Sequence, residues 1–151
     1  MVYDPYHARG HTSEAVVLMD GDSRFFDATI GFIKRELKIT NFDLVAVAGA
    51  AKNLVDPTPQ AIKSFVLKQI RIGVDCHSAR KIFLFNHTDC GQYGGAGSFS
   101  THSEEVAAHR EDLLMAKKLL EQEFFAVNVE CYFVDKAPGE IVIRKVIETQ
   151  Y

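Results

Sequence analysis

His87 and Cys90 stand three residues apart in the run His87-Thr88-Asp89-Cys90. An imidazole nitrogen and a thiolate at that spacing can converge on one borderline metal ion, and zinc suits such a mixed donor set best. Taken alone, the pair is matched as well by a buried neutral histidine beside a buried thiol. A second polar cluster, Asp20-Gly21-Asp22-Ser23-Arg24, offers two carboxylates and a guanidinium. Read by themselves, these residues suit a structural salt bridge at a strand–helix turn, or Asp22 as the cap of a following helix.

Both clusters follow short apolar runs. Residues 15–19 are continuously apolar and end at a turn signal, the pattern of a strand buried on both faces. Residues 44–48, 81–85 and 127–134 are three further strands, and residues 141–143 begin a last one at an edge. A helix is predicted over 27–37. Another starts at Thr58-Pro59, with Thr58 as cap and Gly73 as terminator. Residues 91–100 are rich in Gly and Ser and read as a flexible wall of a cleft. Thr101 and Glu104 have the spacing of a capping box, and Val106, His109, Leu113, Ala116, Leu120 and Phe124 mark the inner face of the helix that follows. The alternation predicts an α/β fold, a mostly parallel central sheet flanked by helices, in one domain over residues 1–151. Ligands of such sheets sit beyond the carboxyl ends of the strands, and both polar clusters fall there.

The 151 residues are 47% hydrophobic and 25% charged, with a formal net charge of −3. That balance shows no electrostatic footprint for nucleic acid or an anionic membrane, and no apolar run approaches the ~20 residues of a spanning helix. Three cysteines without regular spacing and a polar N-terminus point to a reducing cytoplasm.

The two clusters, in this order, resemble the β-class carbonic anhydrases, which carry C-x-D-x-R after the first strand and H-x-x-C after a later one. Asp22, Arg24, His87, Cys90 and Gly91 match, and the resemblance extends through residues 42–45, 64–85 and 127–140. It departs at Asp20, where the family has its first zinc cysteine. It departs again at Asn86, where the family has glycine, and at Ala48-Gly49-Ala50-Ala51, where the family usually shows R-N-A-G. The resemblance implies one zinc per chain held by Asp20, His87 and Cys90, or with Asp22 as the carboxylate ligand in place of Asp20. It also implies Asp22 and Arg24 as a catalytic dyad, Arg24 holding Asp22 ionised and oriented so that it could accept a proton from metal-bound water. It implies reversible hydration of carbon dioxide to bicarbonate by metal-bound hydroxide, in a homo-oligomer. One geometric objection stands: a carboxylate oxygen lies one bond further from the backbone than a cysteine sulfur, so the metal must shift or the strand end retreat. Two other readings stay open. One is a non-catalytic relative that binds a small anion or a protein. The other is a metal-free enzyme with Cys90 as nucleophile.

The remaining candidates read as ordinary structure. Cys76 and Cys131 are expected as small buried hydrophobes. His7 and His11 lie in the terminal segment, and His102 and His109 are expected as solvated side chains. Phe25, Phe26 and Tyr93 are candidates either for the core or for lining an apolar pocket.

Overall fold

The computed structural model describes residues 10–149. Its elements are β1 (Ala15–Met19), α1 (Ser23–Arg35), β2 (Phe42–Ala46), α2 (Lys52–Val55), α3 (Ala61–Arg71), β3 (Lys81–His87), α4 (His102–Glu123), β4 (Asn128–Ala137) and β5 (Glu140–Val146); the alternation is the expected one save for the short α2, which the sequence pattern does not predict. The sheet order is β2-β1-β3-β4-β5. β1 pairs in parallel with β2 and β3, and β3 with β4; only β5 runs antiparallel, at the edge beside β4.

The apolar runs of β1 and β3 are explained by cover on both faces; β2, expected over residues 44–48 as a buried strand, lies instead over Phe42–Ala46 at the sheet edge, with Leu44 exposed and only Val45 buried. Val16, Leu18, Ile82, Leu84 and Val129 point to one side, where Leu54 of α2, Val66 and Ile70 of α3, and Leu113, Ala116 and Leu120 of α4 pack on them. Their neighbours in sequence, Ala15, Val17, Met19, Phe83 and Phe85, point to the other side and meet Phe25 and Ile33 of α1. Alternate residues of one strand therefore enter two cores, and no position on β1 is left for a polar side chain.

Several boundaries differ from expectation, each for a local reason. α1 begins at Ser23 rather than near residue 27, because Asp22 caps it and accepts the Arg24 backbone N–H. α3 begins at Ala61, with Gln60 at its N-cap and no side-chain cap, so Thr58 does not play that part. Gly73 does not terminate α3; it sits in a π-helical turn, Ile72–Cys76. A Cβ there would lie 2.3 Å from Val16 Cγ2, so the glycine serves the close approach of this turn to β1. β4 continues to Ala137 because its last residues, Asp135 to Ala137, pair with Glu140 to Val142 of β5. The capping box is half formed: Thr101 accepts the Glu104 N–H, while the Glu104 carboxyl reaches back to the N–H of Ser100 rather than of Thr101. Residues 91–100 form two 3-10 turns, pinned where Ser98 Oγ donates to the Tyr93 carbonyl and where the Ala96 N–H donates to Asp89 Oδ1. His7 lies outside the described residues.

Candidate metal centre

The adjacent parallel strands β1 and β3 end side by side, and this brings the two polar clusters together. Asp20 follows the last residue of β1 and His87 is the last residue of β3. Asp20 Oδ2 is 3.2 Å from His87 Nε2 and 3.5 Å from Cys90 Sγ. The donor atoms of all three residues lie within 4.8 Å of one another. With Zn–O and Zn–N near 2.0–2.1 Å and Zn–S near 2.3 Å, a tetrahedral site has edges of about 3.3 Å for N···O and about 3.6 Å for O···S. The observed separations fit those edges. The Asp20 carboxylate is folded back over its own turn, which offsets its extra bond of length. Oδ1 accepts the Asp22 N–H at 3.0 Å, and Oδ2 accepts the Gly49 N–H at 2.8 Å.

His87 is set to offer its Nε2 lone pair. Its Nδ1 donates to the Thr88 carbonyl at 2.6 Å, which fixes the tautomer. Phe25 stacks on the ring, centroids 4.5 Å apart. Nε2 is buried and faces Asp20 Oδ2 at 3.2 Å and Asp22 Oδ2 at 3.8 Å, so either a shared proton or a cation must stand between this nitrogen and the carboxylates. A proton and a cation compete for this nitrogen. Burial pushes the imidazole pKa down, but Asp20 and Cys90 beside it prevail and lift it to about 10. Burial alone would push the Asp20 carboxyl up, but His87 and the Gly49 N–H hold it below the ordinary range. The chemistry of the donor set, two groups able to be anionic and one imidazole, matches a divalent ion as well as it matches that proton.

Beside these donors, Arg24 grips Asp22 through Nη2 at 2.7 Å and Nε at 3.1 Å. Its Nη1 reaches Asp89 Oδ2 at 2.8 Å and its Nη2 reaches the Asp89 carbonyl at 3.1 Å. One guanidinium thus ties the turn after β1 to the turn after β3. It holds the Asp22 carboxyl down at about 2. The cap and the salt bridge are therefore one arrangement. Asp22 Oδ2 stands 3.8 Å from His87 Nε2, beside the donors but outside their tight cluster.

Residues 10–146 match the family model described as "Putative carbonic anhydrase". The chain belongs to this carbonic anhydrase family. It is similar to an uncharacterized protein of Rickettsia bellii, 28% identical over 116 residues that cover 75% of this chain and 71% of that one. A second uncharacterized protein, from Rickettsia conorii, is 26% identical over 75% of this chain and 62% of its own length. Among solved structures it is similar to a carbonic anhydrase from Glaciozyma antarctica (TM-score 0.55, 16% identity, 89% of this chain and 82% of that one). It is also similar to one of two tetrameric β-carbonic anhydrases from Sordaria macrospora (TM-score 0.55, 19% identity, 89% and 81%). The fold is accordingly that of the β-carbonic anhydrases.

Within that fold, the positions that depart from the family pattern touch one another. The turn after β2 carries Gly49 at φ +85°, and its N–H is the one that Asp20 accepts. Asn86 accepts the Ala51 N–H at 3.1 Å through Oδ1. Its Nδ2 is 3.0 Å from the Tyr93 hydroxyl and 3.1 Å from His109 Nδ1. Tyr93 in turn donates to Asp112 at 2.6 Å. A cleft of about 420 Å³ opens over Asp20, Asp22, His87 and Cys90, walled by Ala48 and Gln92.

The other candidates fall elsewhere. His109 is fully buried rather than solvated, and burial pushes its pKa down to about 4. His102 is half-exposed, as expected, but paired with Glu105 and Asp135. Cys76 is exposed, not buried, because it ends the π-helical turn; His77 next to it pairs with Asp43, away from the cleft. Cys131 is buried, with its thiol pushed up to about 12 by burial. Phe25 lines the site, whereas Phe26 is exposed. Sequence reasoning missed Glu105, whose carboxyl is buried against the turn after β3. No signal separated it from its neighbour Glu104, since both are carboxylates in the first turn of α4. Among the described residues, no helix is long and apolar enough to cross a membrane.

Proposed function

We propose that this chain is a zinc-dependent carbonic anhydrase that interconverts carbon dioxide and bicarbonate, with Asp20, His87 and Cys90 holding the metal. The observation that carries the reading is the convergence of the three donor atoms within 4.8 Å, with Asp20 Oδ2 at 3.2 Å from His87 Nε2 and 3.5 Å from Cys90 Sγ, close to the edges of a tetrahedral site. When bound, zinc supplies a Lewis acid that makes a water acidic near neutral pH. The residues do the rest. His87 is held in the metal-binding tautomer by Thr88. Asp20 and Cys90 balance a dication. Asp22, kept ionised by Arg24, presents a carboxylate oxygen at the mouth of the donor cluster. A carboxylate held at about 2 is a poor resting place for a proton. Its part is to accept a hydrogen bond and aim the nucleophile toward a small apolar substrate in the cleft. Function in the cytoplasm as a homo-oligomer is part of the same proposal, by likeness to the family.

A second reading has its own support. Because Asp20 and Cys90 lift the His87 pKa to about 10, an imidazolium–carboxylate pair can close the site without a cation. The chain would then be a non-catalytic relative whose cleft takes a small anion. One experiment decides. Zinc per chain is measured by elemental analysis in protein purified without added metal, alongside carbon dioxide hydration by stopped flow, for the natural chain and Cys90→Ser. About one zinc, with hydration that falls at least tenfold in the variant, is the expected result. A folded protein that refuses added zinc and hydrates nothing would establish the second reading instead.

A further inference from the structure

Glu105 is 1% exposed, yet it belongs to the first turn of α4, where carboxylates ordinarily face solvent. Both of its oxygens are committed to the two residues that separate His87 from Cys90. Oε1 accepts the Asp89 N–H at 2.5 Å, and Oε2 accepts the Thr88 hydroxyl at 2.9 Å. Asp89 adopts φ +54°, a left-handed conformation that is unfavourable for a non-glycine residue and needs the surroundings to hold it. That turn is what brings Cys90 back toward Asp20. Thr88 is also the residue whose carbonyl fixes the His87 tautomer. The back of Glu105 is closed by His102. One ring nitrogen lies 3.2 Å from Glu105 Oε2 and the other 2.9 Å from Asp135 Oδ2, which ties the carboxyl to β4.

We propose that Glu105 is the positioning residue of this centre, the group through which α4 sets the His87–Cys90 turn into metal-binding geometry. The proposal rests on the zinc reading above. Glu105 touches neither metal nor substrate. It acts by satisfying one backbone donor and one hydroxyl that would otherwise be stranded beside the ligands. Buried partners of ligand-bearing turns of this kind alter metal affinity by 10–100-fold when removed.

The test compares Glu105→Ala, Glu105→Gln and Leu113→Val, the last a core change on the same helix that does not touch the turn. Zinc affinity is measured by competition with a chromogenic chelator, and the cobalt(II) form is examined by visible absorption. Glu105→Ala should weaken zinc at least tenfold and shift the cobalt bands. Glu105→Gln, which keeps one acceptor oxygen, should fall between it and the natural chain. Leu113→Val should change neither. Equal weakening in Leu113→Val would overturn the proposal by showing that helix stability alone matters. A metal-free readout separates this failure from failure of the zinc reading. Amide exchange at Asp89 and the imidazole nitrogen shifts of His87 are followed by NMR in chelator. If the natural chain takes no zinc, the zinc reading fails. Glu105 still stands as the positioning residue only if Glu105→Ala speeds Asp89 exchange at least tenfold and moves the His87 shifts while Leu113→Val does not. Unchanged exchange and shifts in Glu105→Ala would refute it outright.

Discussion

The buried His109 makes a sharp prediction about acid. Its ring is 0% exposed, and its Nδ1 accepts from Asn86, the residue before His87. Burial is the main cause of its low pKa, about 4 against an ordinary 6.5. The unfolded chain therefore binds a proton more readily than the folded one, so stability rises with pH across that interval. The contribution is complete above about 6.5 and is lost as pH falls toward 4. At ~1.4 kcal/mol per pH unit, the full loss is about 3 kcal/mol, and the step from pH 7 to pH 5 removes about 2 kcal/mol. His87 works in the opposite sense. Raised to about 10, it contributes stability that is complete below 6.5 and fades as pH rises, so raw stability of the natural chain mixes the two. The assay is urea unfolding in chelator at pH 7 and pH 5, for the natural chain and for His109→Asn, whose Oδ1 can stand in for Nδ1 as acceptor. Subtraction removes what the two chains share. The variant should be less stable at pH 7 because its smaller side chain leaves a void, but it should lose about 2 kcal/mol less on going to pH 5. A difference between the two chains that stays constant across this range would refute the reasoning, because His109 would then not titrate with unfolding.

Two further predictions follow from single contacts. Arg24→Ala should keep the metal yet lower kcat/KM for carbon dioxide hydration by about tenfold or more, since Asp22 and Asp89 both lose their clamp. Arg24→Lys should not restore it, because an ammonium cannot reproduce the two-pronged grip; full activity in either variant would remove the dyad from the mechanism. Gly73→Ala should destabilise by about 1–3 kcal/mol in urea unfolding, since its Cβ would meet Val16 Cγ2 at 2.3 Å. An unchanged midpoint would mean that the turn shifts away from β1 freely.

What could be read from the sequence follows the range of the forces involved. β1 and β3 were legible because a strand covered on both faces must be apolar at every position, and the polar residues that end them are then conspicuous. The placement of Asp20 and His87 at neighbouring strand ends follows from the parallel order alone. Long-range pairing was not legible. Asn86 finds its partners on the turn after β2, on the 3-10 turn at Tyr93 and on α4, three segments that only the folded chain brings together. His109 illustrates the limit well. The helical period put it on the inner face of α4, but its residue type argued for water, and the period won because Asn86 satisfies one nitrogen. For Gly73 the local rule pointed the wrong way. Glycine near a helix end suggests a terminator, whereas here the constraint is a strand passing underneath.

The departures from the family pattern are better understood together than singly. Exchanging a thiolate for a carboxylate at residue 20 leaves the charge on the donor set unchanged, but it changes the demand for hydrogen bonds. A sulfur accepts weakly, while a buried carboxylate has two oxygens and is costly unless donors are aimed at it. Asp20 meets that demand with the N–H of Asp22 from its own turn and the N–H of Gly49 from the turn after β2. Gly49 can present its N–H there only at φ +85°, and a Cβ on it would come within 2.9 Å of Gln92 Cβ, so glycine is needed at this point. The turn is held in turn by Asn86, whose Oδ1 receives the Ala51 N–H; a glycine at residue 86 would have no side chain to do so. Asp20, the Ala48-Gly49-Ala50-Ala51 turn and Asn86 thus depend on one another through two hydrogen bonds. Three unrelated losses would leave unsatisfied groups at each position. The carboxylate at residue 20 is thus satisfied by its surroundings through one connected set of hydrogen bonds, whether a proton or a cation closes the cluster.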